Sequence, residues 1–341
     1  MTAMPFLNTD IPELSGFDTG LCLSNLDVLA LRQERVSESV LAMLSELADA
    51  IIHDAGGDPD TVDSILLSLQ SISDGDDGEE RENTPVNRAL SRIAPVNREP
   101  ILRMTARSGL YARLMLYRLV EEKMPSSAKT PPPATLSPAA KGRIAYMPGA
   151  FADKAYLHLA ATVKSPRAAA TASFVDACEE VHSGLCEYCI LPLENSHSGR
   201  LPAFTRLILR YRLQVVTVCD LENGAVGGQI TRFALLRNAA DGIPAVPLYP
   251  VTPGEPLYLE LIHTVESLPL SDLLIAAEFC GLTLCRTDTL PRFDELEWVN
   301  EESPAAVACV LNATEGDLTT FRRFLSLEAS EDILVGLYGS I

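Results

Sequence analysis

The amino-acid sequence predicts a multidomain chain of the α/β and α+β classes, in which a helical region precedes two smaller units that are each built on a sheet. The first observation is a run of apolar residues at helical spacing within residues 1–124. The second is a change near residue 142 to short apolar strands that alternate with helices, and the third is a closing βαββαβ succession. Alternation of strands and helices is typical of α/β units.

The helical region is predicted from the spacing of its apolar side chains. Val36, Val40, Leu44, Leu47 and Ile51 follow the three-to-four-residue step of one helix face, which predicts a helix over residues 29–52. Further helices are predicted over residues 61–72 and 99–123, with an acidic solvated loop at 74–82 between them.

A tether separates this region from the rest of the chain. Residues 125–141 are rich in proline and hydroxyl residues, a composition that favours an extended linker over packed structure. We therefore predict a helical domain at 1–124, a linker at 125–141, an α/β domain at 142–240 and a C-terminal domain at 250–341.

The two sheet-containing units follow from short apolar runs. The α/β unit is predicted to contain strands at 143–146, 188–191, 214–219 and 230–236, and helices at 152–161, 174–181 and 203–211. The C-terminal unit is predicted to contain strands at 257–265, 282–287, 306–311 and 333–338, with helices at 271–280 and 318–327. The βαββαβ order of the second unit predicts a ferredoxin-like half-sandwich with both helices on one face.

Charge limits the partners of the chain. Its 27 basic and 46 acidic residues give a net charge of −19, which should repel phosphate backbones and anionic lipid surfaces. The sequence contains no signal-peptide pattern and no run of 18 or more apolar residues. We predict a cytoplasmic chain that binds neither nucleic acid nor membrane, while local arginines can still bind a small anion.

The cysteine pattern favours reduced, buried thiols. Eight cysteines are too sparse for a disulfide framework, and several lie inside apolar runs. Cys186 and Cys189 have the two-residue gap of a zinc or redox pair, but no second pair follows them. The five histidines have no metal-ligand spacing, so we predict neither a metal site nor a cofactor.

Three stretches resemble the prephenate dehydratases. Residues 192–199, PLENSHSG, resemble the P-[IV]-E-N-S-x-x-G signature of that family, and residues 231–233, TRF, resemble the motif that carries its catalytic threonine. Residues 146–151, YMPGAF, look like a shortened form of its first strand-to-helix loop, and the βαββαβ segment is similar to its ACT regulatory domain. The resemblance implies a truncated dehydratase-type domain followed by an ACT-like domain.

Roles for individual residues follow from this resemblance. It implies that Thr231 donates a proton or hydrogen bond to the departing hydroxyl of prephenate. It also implies substrate-binding roles for a further set of residues: Glu194, Asn195, Ser196, Arg232 and Phe233. Thr231 and Arg232 would lie on opposite faces of a flat strand. We expect the strand to begin or bend at residues 227–228 so that both face one pocket; otherwise only one of them lines the site, or the motif is ordinary pleat packing.

The helical region resembles the all-helical chorismate mutases, as in the bifunctional P-protein. Residues 38–48 and 97–102 resemble two of its helices, and Arg98 and Glu99 match the second. Ala30 and Leu47 stand where the family places cationic groups that bind substrate. We therefore predict that mutase activity is lost and that the helices serve packing or dimerisation.

Departures from the family also concern the other two domains. Only ten residues separate Asp220 from Thr231, where the family inserts a second lobe of the cleft, and an independently folding unit needs about 50 residues. Ala152 stands where a hydroxyl residue is expected. In the ACT-like domain, the loops read LPLSD at 268–272 and DTLP at 288–291, and Leu270 should crowd a phenylalanine ligand.

The leading prediction is a prephenate dehydratase-type lyase of phenylalanine biosynthesis that forms phenylpyruvate, water and carbon dioxide and assembles as a homodimer. One alternative is a catalytically inactive paralogue that acts as a regulatory or assembly subunit, with a full-length dehydratase as its partner. The other is a carboxylate-binding module that uses Arg232 without turnover.

Overall fold

A computed structural model of the chain describes residues 19–72, 84–106, 109–125, 142–223, 228–239, 255–263, 268–290, 306–330 and 332–341. Within these ranges it describes the side chains of all residues except 19–36, 71–72 and 223. The predicted acidic loop at 74–82, linker residues 126–141 and the side chain of Ala30 lie outside this part of the chain.

Ten helices occur in the described ranges. In chain order they are α1 Thr19–Ala55, α2 Pro59–Ile72, α3 Pro85–Arg92, α4 Pro95–Thr105, α5 Leu110–Lys123, α6 Ala150–Ala160, α7 Phe174–His182, α8 Pro202–Arg210, α9 Leu270–Phe279 and α10 Leu318–Glu328.

In the same described ranges, ten strands form one mixed sheet. They are β1 Arg143–Tyr146, β2 Arg167–Ala170, β3 Tyr188–Asn195, β4 Gly199–Arg200, β5 Leu213–Asn223, β6 Gln229–Asn238, β7 Leu257–His263, β8 Thr283–Thr289, β9 Val307–Asn312 and β10 Ile333–Gly339. The strand order is β2-β1-β3-β6-β5-β10-β7-β9-β8, with β4 paired to β3 beside this path.

The helix predicted over residues 99–123 is wrong in extent, because the structure has two helices there. Pro95 begins α4 at a position where its missing N–H costs nothing. The chain then turns before α5, and Gly109 lies so close to the end of α4 that a Cβ at this position would come within 1.8 Å of the Met104 carbonyl oxygen. Only glycine allows that approach, so the turn interrupts the helix.

The C-terminal unit has the predicted βαββαβ order. Its strands lie as β10-β7-β9-β8, all antiparallel, so that the first and third strands of the unit are at its centre and the fourth lies beside the first. Leu259, Leu311 and Leu337 of these strands are buried in one core with Ala276 of α9 and Phe324 of α10. Both helices therefore cover the same face, and the predicted ferredoxin-like arrangement is confirmed.

The two sheets predicted as separate units are continuous. β10 runs parallel to β5, with Gly336 opposite Val215, so the C-terminal sheet extends the α/β sheet. A Cβ on Gly336 would lie 2.8 Å from the carbonyl oxygen of Val215, closer than a side chain can approach. The absence of a side chain at residue 336 thus permits this junction.

The helices form layers on the sheet. α1 to α5 share the core of α9 and α10, which makes the N-terminal helices a layer packed on the C-terminal unit. Elsewhere, α7 and α8 pack on one face of the α/β sheet, and α6 packs on the other. The predicted fold class, a helical region followed by an α/β and a ferredoxin-like unit, is confirmed.

Candidate functional site

The motif residues meet at one edge of the α/β sheet. β1 and β3 are parallel, and β3 and β5 are both antiparallel to β6, so β1, β3 and β5 all point the same way. Their carboxyl ends, at Tyr146, Asn195 and Asn223, therefore lie at the edge where β6 begins. Open α/β sheets bind ligands at this edge.

Thr231 and Asn195 are direct neighbours there. They face each other across the antiparallel pair of β6 and β3, and residues opposite each other in such a pair project from the same face. Both are partly buried. In the part of the chain that the structure describes, the Thr231 hydroxyl has no hydrogen-bond partner.

The Asn195 side chain is held by its own hairpin. Its Oδ1 atom accepts hydrogen bonds from the backbone N–H of His197 at 3.0 Å and from the backbone N–H and hydroxyl of Ser198 at 2.7 and 2.8 Å. The carbonyl oxygen is thereby saturated. The amide NH₂ group remains as the donor that can serve a ligand.

Ser196 fastens this hairpin to β6. Its backbone N–H donates to the carbonyl oxygen of Ile230 at 2.8 Å, and its hydroxyl oxygen accepts from the Ile230 N–H at 3.0 Å. A hydroxyl that accepts one hydrogen bond keeps its proton for donation to another group. Ser196 is exposed and can donate to a ligand at the edge.

Phe233 is a core residue beneath the site. It is buried, on the same face as Thr231, and its ring centroid lies 5.9 Å from that of Phe151 in the first turn of α6. Gly149 precedes α6 and supplies no side-chain cap, so the first N–H groups of this helix are not satisfied by a cap. The positive end of α6 thus lies over the face that carries Thr231.

Arg232 points to the opposite face and is held by carboxylates. Its Nε and second amino group donate to the two oxygens of Asp220 at 2.7 and 2.8 Å, and its other amino group lies 2.7 Å from Glu194 Oε1. Hydrogen bonding to Asp220 raises the pKa of Arg232 above its ordinary value. The expected pocket shared by Thr231 and Arg232 is not formed, because β6 runs regularly from Gln229 and successive side chains alternate.

A charged cluster continues on that face towards the C-terminal sheet. It surrounds a cavity of about 200 Å³, and Arg200 of β4, Glu260 of β7 and Arg286 of β8 line it together with Glu194 and Arg232. Arg200, Glu260 and Arg286 are functional candidates that the sequence pattern did not indicate. The position of Arg200 directly after the E-N-S-x-x-G stretch could have marked it as a site residue. Glu260 and Arg286 had no such mark, because they lie on strands that are distant from this stretch in sequence.

The mutase-like residues are not brought together. Arg98 donates to the carbonyl oxygens of Ile93 at 3.1 Å and Ser91 at 2.9 Å, while Glu99 is exposed and pairs with Arg103. Leu47 is completely buried in the helical core. Arg98 therefore holds the turn between α3 and α4.

Metal-binding clusters and membrane-spanning helices are absent from the described ranges. No group of three metal-binding side chains occurs among the described residues. Cys186 and Cys189 are buried free thiols, and burial raises the pKa of Cys186 to about 12, so this thiol stays protonated near neutral pH. None of the described helices is long and apolar enough to span a bilayer.

Comparison with known proteins gives only distant likenesses. The sequence matches no family profile and no curated protein. Among solved structures, a prephenate dehydratase from Streptococcus mutans is similar with 15% identity and a TM-score of 0.45, over 58% of this chain and 98% of that one. GqqA, described as a novel type of quorum quenching acylase, has 19% identity and a TM-score of 0.42, over 59% and 97% of the two chains.

A third similar structure is a prephenate dehydratase from Arthrobacter aurescens in complex with L-Phe. It has 11% identity and a TM-score of 0.40, and the alignment covers 57% of this chain and 89% of that one. Likeness at this level carries no weight for an assignment of activity.

Proposed function

We propose that the chain is a prephenate dehydratase-type lyase of phenylalanine biosynthesis, which converts prephenate to phenylpyruvate, water and carbon dioxide and has lost mutase activity. The observation that carries this proposal is the pairing of Thr231 with Asn195 on one face, at the carboxyl edge of the sheet. Two hydrogen-bond donors from separate strands are thereby placed side by side.

The reaction needs a donor at the leaving hydroxyl. When the ring carboxylate departs as carbon dioxide, the electrons of its carbon–carbon bond enter the ring and the hydroxyl leaves from the opposite position. Thr231 donates the hydrogen bond or proton that turns the departing hydroxyl into water, and solvent restores the proton. The balance is prephenate and one proton to phenylpyruvate, water and carbon dioxide, without a metal or redox cofactor.

The remaining contacts bind the anionic substrate. The Asn195 amide and the Ser196 hydroxyl donate to substrate oxygens, and the free N–H groups of α6 favour a carboxylate near Thr231. Phe233 forms the floor beneath Thr231. The sequence pattern suggests Glu194 and Arg232 as substrate ligands. We propose instead that their ion pair, on the opposite face of the sheet, stabilises the backbone that carries Asn195 and Thr231.

The partners and location remain those that the sequence suggests. We propose a homodimer in the cytoplasm that acts on small anions and does not bind nucleic acid. The C-terminal βαββαβ unit is proposed as an ACT-like regulatory domain and the N-terminal helices as a mutase-like remnant that serves packing.

A second candidate is an inactive subunit that assembles with a full-length dehydratase. It is favoured by the short connection of residues 224–228 between β5 and β6, which leaves no room for a second lobe. The carboxylate-binding module is supported least, because Arg232 is already occupied by Asp220 and Glu194.

The experiment is an ultraviolet assay for phenylpyruvate formed from prephenate by the purified protein. Thr231→Ala should lower the rate by about a hundredfold or more, and Thr231→Ser, which keeps the hydroxyl, should retain most of it. Thr283→Ala is the matched control, since Thr283 is an exposed strand residue at the far edge of the sheet. An inactive wild-type chain that stimulates a full-length dehydratase would support the second candidate.

A further inference from the structure

The hairpin of β3 and β4, which carries Glu194, Asn195 and Ser196, is connected to the C-terminal sheet by ion pairs from both of its strands. β3 and β4 pair with Glu194 opposite Arg200 and Asn195 opposite Gly199. The Glu194 carboxylate lies between Arg232 of β6 and Arg286 of β8, and Arg200 forms an ion pair with Glu260 of β7. Glu194 and Arg200 therefore connect the same rung of the hairpin to two different strands of the C-terminal unit.

The ion pairs Arg200–Glu260 and Glu194–Arg286 are buried to different degrees. The side chains of Arg200 and Glu260 are only 7% and 2% exposed, and the Tyr338 hydroxyl donates to Glu260 at 2.6 Å. Burial alone would raise the pKa of Glu260, but Arg200 and Tyr338 outweigh it and the pKa lies below its ordinary value. A charge buried in this way and left without its partner is costly, so the Arg200–Glu260 contact resists opening.

The Glu194–Arg286 ion pair is more exposed to solvent, and Arg286 extends the network to a second residue of β8. Arg286 is 39% exposed and contacts Glu194 on one side and Asp288 at 2.7 Å on the other. Asp288 in turn approaches Arg200 at 4.0 Å. Any displacement of β8 relative to β3 must therefore break one of these contacts.

We infer that Arg286 and Glu260 are positioning residues, through which the C-terminal βαββαβ unit fixes the orientation of Asn195. Asn195 lies in sequence between Glu194 and Arg200, and its side chain is held by two backbone amides and the Ser198 hydroxyl of the hairpin turn. When either contact is lost, the turn is held opposite Thr231 only by the pairing of β3 with β6 and by the bonds of Ser196 to Ile230, so its orientation is less strictly fixed. The consequence for turnover rests on the proposed function, whereas the consequence for hairpin order does not.

The backbone amides of His197 and Ser198 report the order of the hairpin turn directly, because both donate to Asn195 Oδ1. Their hydrogen exchange, followed residue by residue by NMR, should accelerate about tenfold in Arg286→Met. Arg286→Lys, which restores the charge, should recover most of the protection. Arg103→Met, at an exposed ion pair in α4, is the matched control and should leave exchange unchanged.

Turnover provides the second readout. If the wild-type protein consumes prephenate, kcat/KM should fall in Arg286→Met, recover in Arg286→Lys and stay unchanged in Arg103→Met. Faster exchange in a protein without activity would support the positioning role and refute the dehydratase proposal. Unchanged exchange at His197 and Ser198 in Arg286→Met, with the melting temperature preserved, would overturn the inference whatever the activity.

Discussion

Arg113 of α5 and Glu328 of α10 form a bidentate salt bridge with hydrogen bonds of 2.8 and 2.7 Å, although they are 215 positions apart in the sequence. The two side chains are only 5% and 10% exposed, and the Tyr117 hydroxyl also donates to Glu328 at 2.6 Å. The contact joins the helical layer to the C-terminal unit. The N-terminal helices are therefore part of the folded body.

Replacing Glu328 with glutamine should lower the free energy of unfolding by about 3–5 kcal/mol, since it leaves Arg113 charged and buried. Urea unfolding followed by circular dichroism measures this. Glu99→Gln makes the same change at an exposed pair and should stay within about 0.5 kcal/mol of wild type. Equal effects of the two variants would contradict the packing role of the interface.

Gly336→Ala should weaken the junction between β5 and β10. The added methyl would meet the Val215 carbonyl oxygen at 2.8 Å and the Val215 Cβ at 2.9 Å, so the strands must move apart. We expect a loss of about 1–3 kcal/mol in urea unfolding. Gly149→Ala, at a position with open space around it, serves as the control.

The Arg200–Glu260 pair predicts a dependence of stability on pH. Because Arg200 and Tyr338 hold the pKa of buried Glu260 below its ordinary value of 4.5, its stabilisation is complete above that pH and is lost as the pH falls through the lower, folded-state pKa. Glu260→Gln should therefore be less stable than wild type at pH 7. The difference in urea midpoint should narrow below pH 4.5. A difference that stays constant from neutral to acid conditions would exclude a titrating role for Glu260.

Chorismate should not be converted to prephenate above the background rate. Arg98 is bound to backbone carbonyls and Glu99 pairs with Arg103 at the surface. Leu47, which stands where the resemblance implies a cation, is buried. The measurement is the loss of chorismate absorbance with purified protein. Turnover well above the uncatalysed rate would show that another face of the helices binds the substrate.

Phenylalanine should not raise the melting temperature. A ligand that binds only the folded state contributes about 2.7 kcal/mol at a hundred times its dissociation constant. Leu270, which the resemblance places where a glycine is expected, begins α9 and packs against the core of the C-terminal unit. Thermal unfolding with and without millimolar phenylalanine tests this, and a clear upward shift would show a functional ligand site.

The sequence predicted those elements that local patterns specify. The six elements of the C-terminal unit were placed within a few residues of their bounds, and apolar runs such as Leu257–His263 and Ile333–Gly339 marked its central strands. β2 was missed, since Arg167–Ala170 has no β-branched or aromatic residue and reads as a loop. The E-N-S stretch contains the end of a strand at Asn195, whose side chain closes a hairpin turn.

The roles of the site residues stay a prediction, whereas their positions can be compared with the sequence. Asn195 and Thr231, both assigned to the site from the resemblance, lie opposite each other on paired strands, and period-two alternation already indicated that Arg232 could lie on the other face. The carboxylates that occupy Arg232 were not predictable, because Asp220 and Glu194 reach it only through the register of three paired strands. The junction of β5 and β10 at Gly336 could not be predicted either, because one close approach between two strands produces no periodic pattern in the sequence.

The central position of β10 has a consequence for synthesis of the protein on the ribosome. This strand lies between β5 and β7, yet it follows every other strand of the sheet in chain order. Until residues 333–339 emerge, the nascent chain must carry two unfinished sheet edges whose N–H and C=O groups await a partner. Such edges attract other chains, so translation should pass through a stage that is prone to aggregation and that a chaperone can protect.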